Sequence, residues 1–292
     1  MRTYLDCVPC FLRQALMAAR ASTDDENIHR QVLNSVIEIL PQFSLDIAPP
    51  QTSRHIYRKI AQVTGVRDPY HGAKQESNRR ALQLYPQLKQ IVASAHDPLF
   101  AACKLAIAGN AIDLGAQAAY EDVDTIIDKA LALPFGVDHY GEFRASLEKT
   151  SRLLYLGDNA GEIVFDRVLI EEIRKTRELE VHFVVRGEPI INDVTWEDAE
   201  FVGMDKVAEV VSNGSDAPAM VLSECSPEVL ELYHSADVII SKGQGNYEVL
   251  NEENANIFFF LKIKCDVVAR MVGVRVGDAI LRGRNVQVQP FA

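Results

Sequence analysis

The pattern of apolar residues changes near residue 151, and this change limits the folds open to the chain. Beyond it, short runs rich in Val, Ile and Phe recur, with helical stretches such as Glu162–Thr176 and Pro227–Ser235 between several of them. Strands that alternate with helices are typical of a mostly parallel sheet. We therefore predict strands at Leu153–Leu156, Val181–Val185, Ala208–Val211, Val238–Ile240 and Ile257–Ile263, one more edge strand at Ala279–Arg282, and a helix over Trp196–Gly203. Ser226 is the predicted N-cap of the helix that begins at Pro227.

The residues before 151 show apolar side chains three to four positions apart, which predicts helices and no clear strand. The predicted helices are Cys10–Arg20, Glu26–Leu40, Arg54–Val63, Lys74–Leu84, Pro86–Ser94 and Pro98–Ala108. The sequence thus indicates an α/β protein. We predict a helical domain at residues 1–150 and a Rossmann-like α/β/α domain at residues 151–292.

The charge of the chain bears on its partners. With 41 acidic and 30 basic side chains among 292 residues, the formal net charge is −11, which does not favour nucleic acid or an anionic membrane. A small anionic substrate in a local basic pocket remains compatible with it. No run reaches the roughly 18 apolar residues of a membrane span, and no hydrophobic signal region is seen at the N-terminus. We expect a cytoplasmic protein of unassigned oligomeric state.

The first predicted strand of the second half ends in a corner suited to a metal ion. Asp158 and Asn159 follow it and offer hard oxygen ligands, which suit Mg²⁺ or Mn²⁺ better than a soft metal. Asp-Asn beside glycine is also ordinary turn chemistry. Gly161 permits close backbone approach, and the helix that begins at Glu162 points N–H groups at the same corner. We include Gly161 and Glu162 among the phosphate-site residues.

A second strand end repeats this theme. Asn192 and Asp193 follow the strand Val181–Val185 and precede a helix, so Asp193 is either an N-cap or a third oxygen ligand. The third ligand role requires that the two strands are neighbours in the sheet. Arg186 lies on the same loop and is a candidate phosphate clamp.

Two further strand ends carry groups that suit a phosphate. After Val238–Ile240 come Lys242 and Gly243, followed by Asn246 and Tyr247, which offer a point charge, a permissive backbone and hydrogen bonds. Lys264 ends the next strand and is placed to join them. Ligands of open α/β sheets bind beyond the carboxyl ends of such strands.

Two polar pairs lie within otherwise apolar helices of the first half. Lys74 and Asn78 are four residues apart, and Asn110 and Asp113 are three apart, so each pair shares a helix face. Small apolar residues surround Asn110. Because buried polar groups need partners, we expect these side chains to face the interdomain cleft and to join the substrate site.

The cysteines leave two interpretations open. Cys7 and Cys10 form a CxxC at the start of a helix, where a lowered thiol pKa would permit a redox or metal role. A structural zinc ion requires four ligands, however, and no second pair accompanies this one. Cysteines 103, 225 and 265 are predicted to be small core residues, and the odd total of five argues against a secreted disulfide framework.

Several of these motifs together resemble a known family. The stretch Gly157–Glu162, the pair Asn192–Asp193, the stretch Lys242–Tyr247 and the N-terminal CxxC are similar to motifs of the damage-control phosphatase family, also called domain of unknown function 89. The CxxC and the Asp-Pro-Tyr stretch with Lys74 and Asn78 resemble its prokaryotic branch. The resemblance covers nearly the whole chain, and the motifs occur in family order.

The resemblance implies a helical domain packed on a Rossmann-like domain, with a divalent metal ion at their interface. It implies Asp158, Asn159 and Asp193 as metal ligands and catalytic residues, and the loop from Lys242 to Tyr247 as the phosphate site. Lys264 matches a lysine of a short C-terminal motif in other branches. The arginine and threonine of that motif are replaced here by Leu261 and Lys262, so substrate contacts are not transferred.

The expected activity is metal-dependent hydrolysis of a small phosphate monoester, either a sugar phosphate or a damaged phosphometabolite. The expected cofactor is Mg²⁺ or Mn²⁺, with Co²⁺ or Ni²⁺ as further candidates. Two alternatives stay open. One is an S-adenosylmethionine-dependent carboxyl methyltransferase, although Asp158 and Asn159 stand where a Gly-x-Gly turn is expected. The other is a non-enzymatic metal or redox protein built on Cys7 and Cys10.

Overall fold

A seven-stranded sheet forms the centre of the molecule. The computed structural model describes residues 1–109 and 123–284. The strands lie in the order β1-β7-β6-β5-β2-β3-β4, and all neighbouring pairs are parallel except β6 with β7. They are β1 (Val137–Asp138), β2 (Arg152–Leu156), β3 (Glu180–Val185), β4 (Glu209–Ser212), β5 (Val238–Lys242), β6 (Ile257–Lys262) and β7 (Ala279–Gly283).

Twelve α-helices surround this sheet within the described ranges. Those before β2 are α1 (Cys7–Ser22), α2 (Glu26–Ile39), α3 (Pro49–Thr64), α4 (His71–Ser94), α5 (Pro98–Gly109), α6 (Val123–Ala132) and α7 (Tyr140–Leu147). Those after it are α8 (Glu162–Thr176), α9 (Trp196–Phe201), α10 (Pro227–Ser235), α11 (Gly243–Leu250) and α12 (Asp266–Val272). None of the described helices has the length and apolar composition that a membrane crossing requires.

The predicted α/β class is confirmed, and each predicted strand is present. Two expectations about the edge of the sheet are wrong. The short strand β1 lies in the half where no strand was expected, and it pairs outside β7, so β7 is not the edge. Two adjacent pairs, Val137 with Ile280 and Asp138 with Leu281, define that pairing, which is too short to give a periodic signal. The boundary at residue 150 stays a prediction.

Two helix expectations also need correction. Lys74–Leu84 and Pro86–Ser94 form one helix, α4, which continues through Pro86. Proline removes one backbone hydrogen bond and crowds the preceding turn. Here Leu88 and Val92 on the far side of Pro86 are buried in the core, and this packing holds the helix together across the proline. The helix predicted to reach Gly203 ends at Phe201, because Gly203 adopts a left-handed φ of +69°.

The sheet is covered on both faces. One apolar cluster packs α4, α5 and α8 against one face, and Phe165 and Leu169 of α8 are fully buried in it. A second cluster packs α10, α11 and α12 against the other face, while α1, α2 and α3 form a third cluster of their own. Ser226 caps α10 as predicted, with its side chain accepting from the backbone N–H of Val229.

The order of the strands creates a crevice beside β2. From β2 the chain adds β3 and β4 on one side and then crosses to β5 and β6 on the other. At such a reversal the βα loops diverge and leave room for a ligand beyond the carboxyl ends of the strands. The four strand ends singled out from the sequence are therefore neighbours, in the order β6, β5, β2, β3.

Candidate metal centre

Backbone pairing joins the corners that follow β2 and β3. The N–H of Val194 donates to the carbonyl of Asp158 at 2.8 Å, and the N–H of Ala160 donates to the carbonyl of Asn192 at 2.9 Å. Asn159 and Asp193 thus form an isolated antiparallel bridge. The condition set by the sequence, that these strands are neighbours, is met, and Asp158, Asn159 and Asp193 share one corner.

Arg186 lies between the two carboxylates of this corner. Its Nε donates to Asp193 Oδ2 at 2.7 Å, and Nη2 lies 4.0 Å from Asp158 Oδ1. Nη2 also donates to the carbonyl of Gly157 at 3.2 Å. The side chains of Arg186, Asp158 and Asp193 are all buried. One guanidinium therefore fixes both acids, and it still has a buried Nη1 without a hydrogen-bond partner in the described residues.

The acids of this corner are held in an electrostatically unfavourable setting. Burial and the nearby charges of Asp193 and Glu162 raise the pKa of Asp158 to about 7, although Lys264 and Arg186 oppose the shift. Burial also raises the pKa of Asp193 against the effect of Arg186. Ionised carboxylates crowded in a dry site require added positive charge. The corner therefore favours a cation.

Asn159 is oriented by two acids. Its Nδ2 donates to Asp158 Oδ2 at 2.7 Å and to Glu162 Oε2 at 3.2 Å. Because Nδ2 makes both described hydrogen bonds, the amide oxygen is left as a ligand atom. Two carboxylates and an amide oxygen form a hard donor set, and this set fits Mg²⁺ or Mn²⁺.

Lys242 does not occupy the free position predicted for it. The side chain is fully buried, and Nζ contacts Glu162 Oε1 and Asp166 Oδ1, both at 2.5 Å, and the carbonyl of Ala106 at 2.8 Å. Burial lowers the pKa of Lys242, but the charges of Asp166 and Glu162 raise it above its ordinary value, so the ammonium stays charged. Its three N–H donors are all occupied, because a buried charge requires partners. A direct contact with phosphate is therefore not supported.

Asn246 and Tyr247 also differ from the prediction. Their stretch is the first turns of α11 and not a loop. Asn246 is fully buried and joins four neighbours. Its Nδ2 donates to the carbonyls of Lys242 and Gly157, and its Oδ1 accepts from the N–H of Met220 and, at 3.5 Å, from Arg186 Nη2. The ring of Tyr247 packs edge-on against Phe259 on the α11 side of the sheet. Asn246 therefore supports the corner, whereas the side chain of Tyr247 contacts Phe259 and Arg282.

Gly161, Lys74 and Asn78 form a brace between α4 and the metal corner. The N–H of Gly161 donates to Asn78 Oδ1 at 2.7 Å. This N–H therefore already has a partner, which does not support its predicted role at a phosphate. Asn78 Nδ2 donates to Asp198 Oδ1 at 2.8 Å, and Lys74 Nζ lies 3.2 Å from Asp198 Oδ2. Lys74 and Asn78 are both buried, and their described partners are protein groups, so their role at a substrate stays a prediction. Sequence reasoning missed Asp198, although Thr195 and Asp198 have the spacing of a capping box at the start of α9.

Some predicted residues remain candidates for a phosphate. Lys264 is exposed at the end of β6, and its charge lowers the pKa of both Asp158 and Asp193. Arg186 has its unpartnered Nη1. Gly243 borders the Asp158 carboxylate without a side chain. Asn110 and Asp113 lie outside the described residues.

A cavity of about 410 Å³ lies next to this corner, between α3 and the loop after β3. Its lining includes Arg54, Arg58, Tyr57 and Ile190. Burial is the main cause that raises the pKa of Tyr57, and the charge of Asp193 adds to the effect. The cavity does not include the metal corner itself.

Comparisons with known proteins agree with this architecture. The profile of the damage-control phosphatase ARMT1-like domain matches residues 3–280. A damage-control phosphatase of Archaeoglobus fulgidus is 33% identical over 282 residues, which cover 94% of this chain and 97% of that protein. An uncharacterized protein of Methanocaldococcus jannaschii is 36% identical over 289 residues, 96% of this chain and 94% of that one.

A solved structure shows the same fold. The crystal structure of a DUF89 family protein from Pyrococcus horikoshii superimposes with a TM-score of 0.91 at 32% identity, covering 98% of this chain and 100% of that chain. The similarity therefore extends over the helical residues as well as over the sheet.

Proposed function

Because the chain belongs to the damage-control phosphatase ARMT1-like domain family, we propose that it is a metal-dependent phosphatase of small phosphate monoesters. The observation that carries this proposal is the corner where one buried arginine, Arg186, holds Asp158 and Asp193 beside the amide of Asn159. The relatives named damage-control phosphatase match nearly the full chain, so the enzyme is a hydrolase.

The proposed metal ligands are Asp158, Asn159 and Asp193. When bound there, a divalent ion supplies Lewis-acid polarisation of a phosphoryl oxygen. The hard oxygen donors favour Mg²⁺ or Mn²⁺, and Co²⁺ or Ni²⁺ are further candidates. The crowded, buried carboxylates are the feature of this chain that calls for such an ion.

The chain's own cations would neutralise the transferred phosphoryl group. Lys264 supplies an exposed ammonium whose charge acts on Asp158 and Asp193, and Arg186 supplies its buried Nη1. Groups that are already in place when charge develops need little reorganisation, and this is where most catalytic stabilisation arises. Lys242 acts indirectly, by neutralising Glu162 and Asp166.

We infer that water, and not Asp158, attacks the phosphorus. The Asp158 carboxylate lies against Gly243, accepts from Asn159 and is restrained by Arg186, so it has little freedom to move onto a substrate. The stereochemical course at phosphorus, followed with a substrate whose phosphoryl group is made chiral with oxygen isotopes, distinguishes the two routes. Inversion is expected for a single in-line attack by water; retention, the product of two successive displacements, would show an aspartyl-phosphate route.

The proposed substrates are sugar phosphates or damaged phosphorylated metabolites. The cavity of about 410 Å³ suits the organic part of a small molecule. We place the enzyme in the cytoplasm, where thiols stay reduced, because all five cysteines are free. With a net charge of −11, nucleic acid is not expected to bind.

A phosphate-release screen tests the function. The protein is stripped with a chelator and assayed with small phosphate monoesters in the presence of Mg²⁺, Mn²⁺, Co²⁺ or Ni²⁺. We expect release only with a divalent ion, and a loss of more than about 100-fold in Asp158→Ala. The matched control is Asp205→Ala, since Asp205 is an exposed acid after α9. Metal-independent release, or micromolar S-adenosylmethionine binding without release, would contradict the proposal.

A further inference from the structure

The first turn of α1 lies beside the elements that follow β5 and β6. Asp6, just before α1, forms an ion pair at 3.7 Å with Arg270 of α12, and the Met1 nitrogen donates to the carbonyl of Glu248 at 2.7 Å. These contacts bring the CxxC toward Cys265, which directly precedes α12. Cys265 was predicted from the sequence to be a core residue, and it is instead only half-buried.

Cys265 and Glu248 share one partner. Gln244 Nε2 lies 3.4 Å from Cys265 Sγ and 2.8 Å from Glu248 Oε1, so the thiol and the carboxylate flank a single amide nitrogen. Cys7 and Cys10 are three residues apart and share a face of α1. The charges of Cys265 and Glu248 are among those that raise the pKa of both Cys7 and Cys10, and the contacts of Asp6 and Met1 place the start of α1 beside these two residues. Three thiols and one carboxylate are thus gathered in one place.

The setting does not favour a redox thiol. A reactive cysteine requires a depressed thiol pKa, but burial raises the pKa of both Cys7 and Cys10. Burial likewise raises the pKa of Glu248 to about 7. Thiols and carboxyls with raised pKa values are neutral by themselves, and a bound cation stabilises their ionised forms. A thiophilic metal ion therefore displaces their protons when it binds.

We propose that Cys7, Cys10, Cys265 and Glu248 are the four ligands of a second, structural metal ion of the Zn²⁺ type. The CxxC supplies two ligands, and the fold supplies the two that the sequence lacked. Each thiol releases its proton to solvent as its sulfur binds, and Glu248 binds as a carboxylate. Thiolates select a soft ion, so this site differs in chemistry from the oxygen site at Asp158.

The ligand side chains must rotate inward when the ion binds. Among the described residues, the group whose ligand atoms already lie within 4.8 Å of one another is a different one, Glu180, His182 and Glu209. Its two glutamates are exposed and flank the histidine as ordinary ion pairs do. The cluster of Cys7, Cys10, Cys265 and Glu248 has softer donor atoms than this group, and it has the four ligands that structural zinc requires.

A Co²⁺ titration of the reduced, chelator-stripped full-length protein tests the site. Thiolate ligands give Co²⁺ an intense near-ultraviolet charge-transfer band, which the oxygen site cannot produce. We expect one equivalent of Co²⁺ to develop this band and Zn²⁺ to abolish it. Asp158→Ala should retain the band, so the result is independent of phosphatase activity.

Variants assign the ligands. Cys265→Ser and Glu248→Gln should weaken Co²⁺ binding at least about tenfold, while Cys225→Ser, a half-buried cysteine elsewhere in the fold, should leave it unchanged. Should Cys265→Ser fail to fold, zinc released from the wild type by a thiol-modifying reagent gives the stoichiometry directly. No thiolate band in the reduced wild type, or equal effects of Cys225→Ser and Cys265→Ser, would overturn the proposal.

Discussion

Gly243 lies directly against the carboxylate of Asp158. A Cβ at position 243 would overlap the carboxylate carbon and Oδ2 of Asp158, and Gly243 also has a left-handed φ of +77°. Asp158 follows β2 and Gly243 follows β5, two neighbouring strands. Because Gly243 has no side chain, the carboxylate of Asp158 can occupy the space beside it at the end of the neighbouring strand.

The first prediction follows from this contact. Gly243→Ala should displace the Asp158 carboxylate and weaken metal binding by about 10- to 100-fold, measured by calorimetry. Gly273→Ala is the matched control, because Gly273 has a φ of +82° and open space around its Cα. Both variants should lose about 1–2 kcal/mol of folding stability from left-handed strain. Equal metal affinity in the two variants would contradict the assigned role of Gly243.

The second prediction concerns the orientation of Asn159. Glu162→Gln should weaken metal binding about 10- to 100-fold, because a glutamine at 162 offers a poorer acceptor to Asn159 Nδ2 and removes a charge from Lys242. Glu172→Gln is the control on the same helix, since Glu172 is buried and pairs with Lys175 instead. Calorimetric titration with Mn²⁺ measures both. Unchanged affinity in Glu162→Gln would argue against this positioning role.

The third prediction is a pH dependence of the metal-free protein. The pKa of Asp158 rises from its ordinary 3.8 to about 7 on folding, so the folded state holds the proton more tightly than the unfolded chain. The contribution of Asp158 to the free energy of unfolding is therefore greatest below pH 4, and it is lost as the pH rises toward 7. Between pH 5 and pH 8 the wild type should lose about 2–3 kcal/mol relative to Asp158→Asn.

Guanidinium unfolding in chelator at the two pH values measures this difference. Asp205→Asn, which changes an exposed acid, should follow the wild type at both values. Added divalent ion should restore the stability of the wild type at pH 8, because it supplies the missing positive charge. A difference between wild type and Asp158→Asn that stays constant with pH would show that this carboxyl is not held protonated.

The fourth prediction addresses Asp198 of α9, which is the partner of Lys74 and Asn78 in the brace. Asp198 accepts from Lys74, Asn78 and the N–H of Thr195, and it is buried. Asp198→Asn leaves Lys74 short of a partner and should lower the free energy of unfolding by about 3 kcal/mol. The exposed neighbour Glu197 provides the control Glu197→Gln, which should stay within about 0.5 kcal/mol of the wild type. Chemical denaturation measures both, and similar values would show that the brace contributes little.

The sequence by itself determined what depends on short stretches of chain. Periodicity located the strands and most helices, and Ser226 was recognisable as a cap, because these features arise from contacts within a few residues. The sequence also placed Asp158, Asn159 and Asp193 at strand ends. Their convergence then followed from the parallel pairing of β2 with β3, which aligns those ends.

Only the tertiary structure decided which groups become partners. Lys242 looked like a free phosphate ligand, yet packing of α8 against β5 brings Glu162 and Asp166 to it. Cys265 looked like a core residue, yet it is only half-buried, and the fold brings the start of α1 to the helix that follows it. A buried charge or thiol acquires its neighbours from elements distant in the chain, and local patterns carry no record of those neighbours.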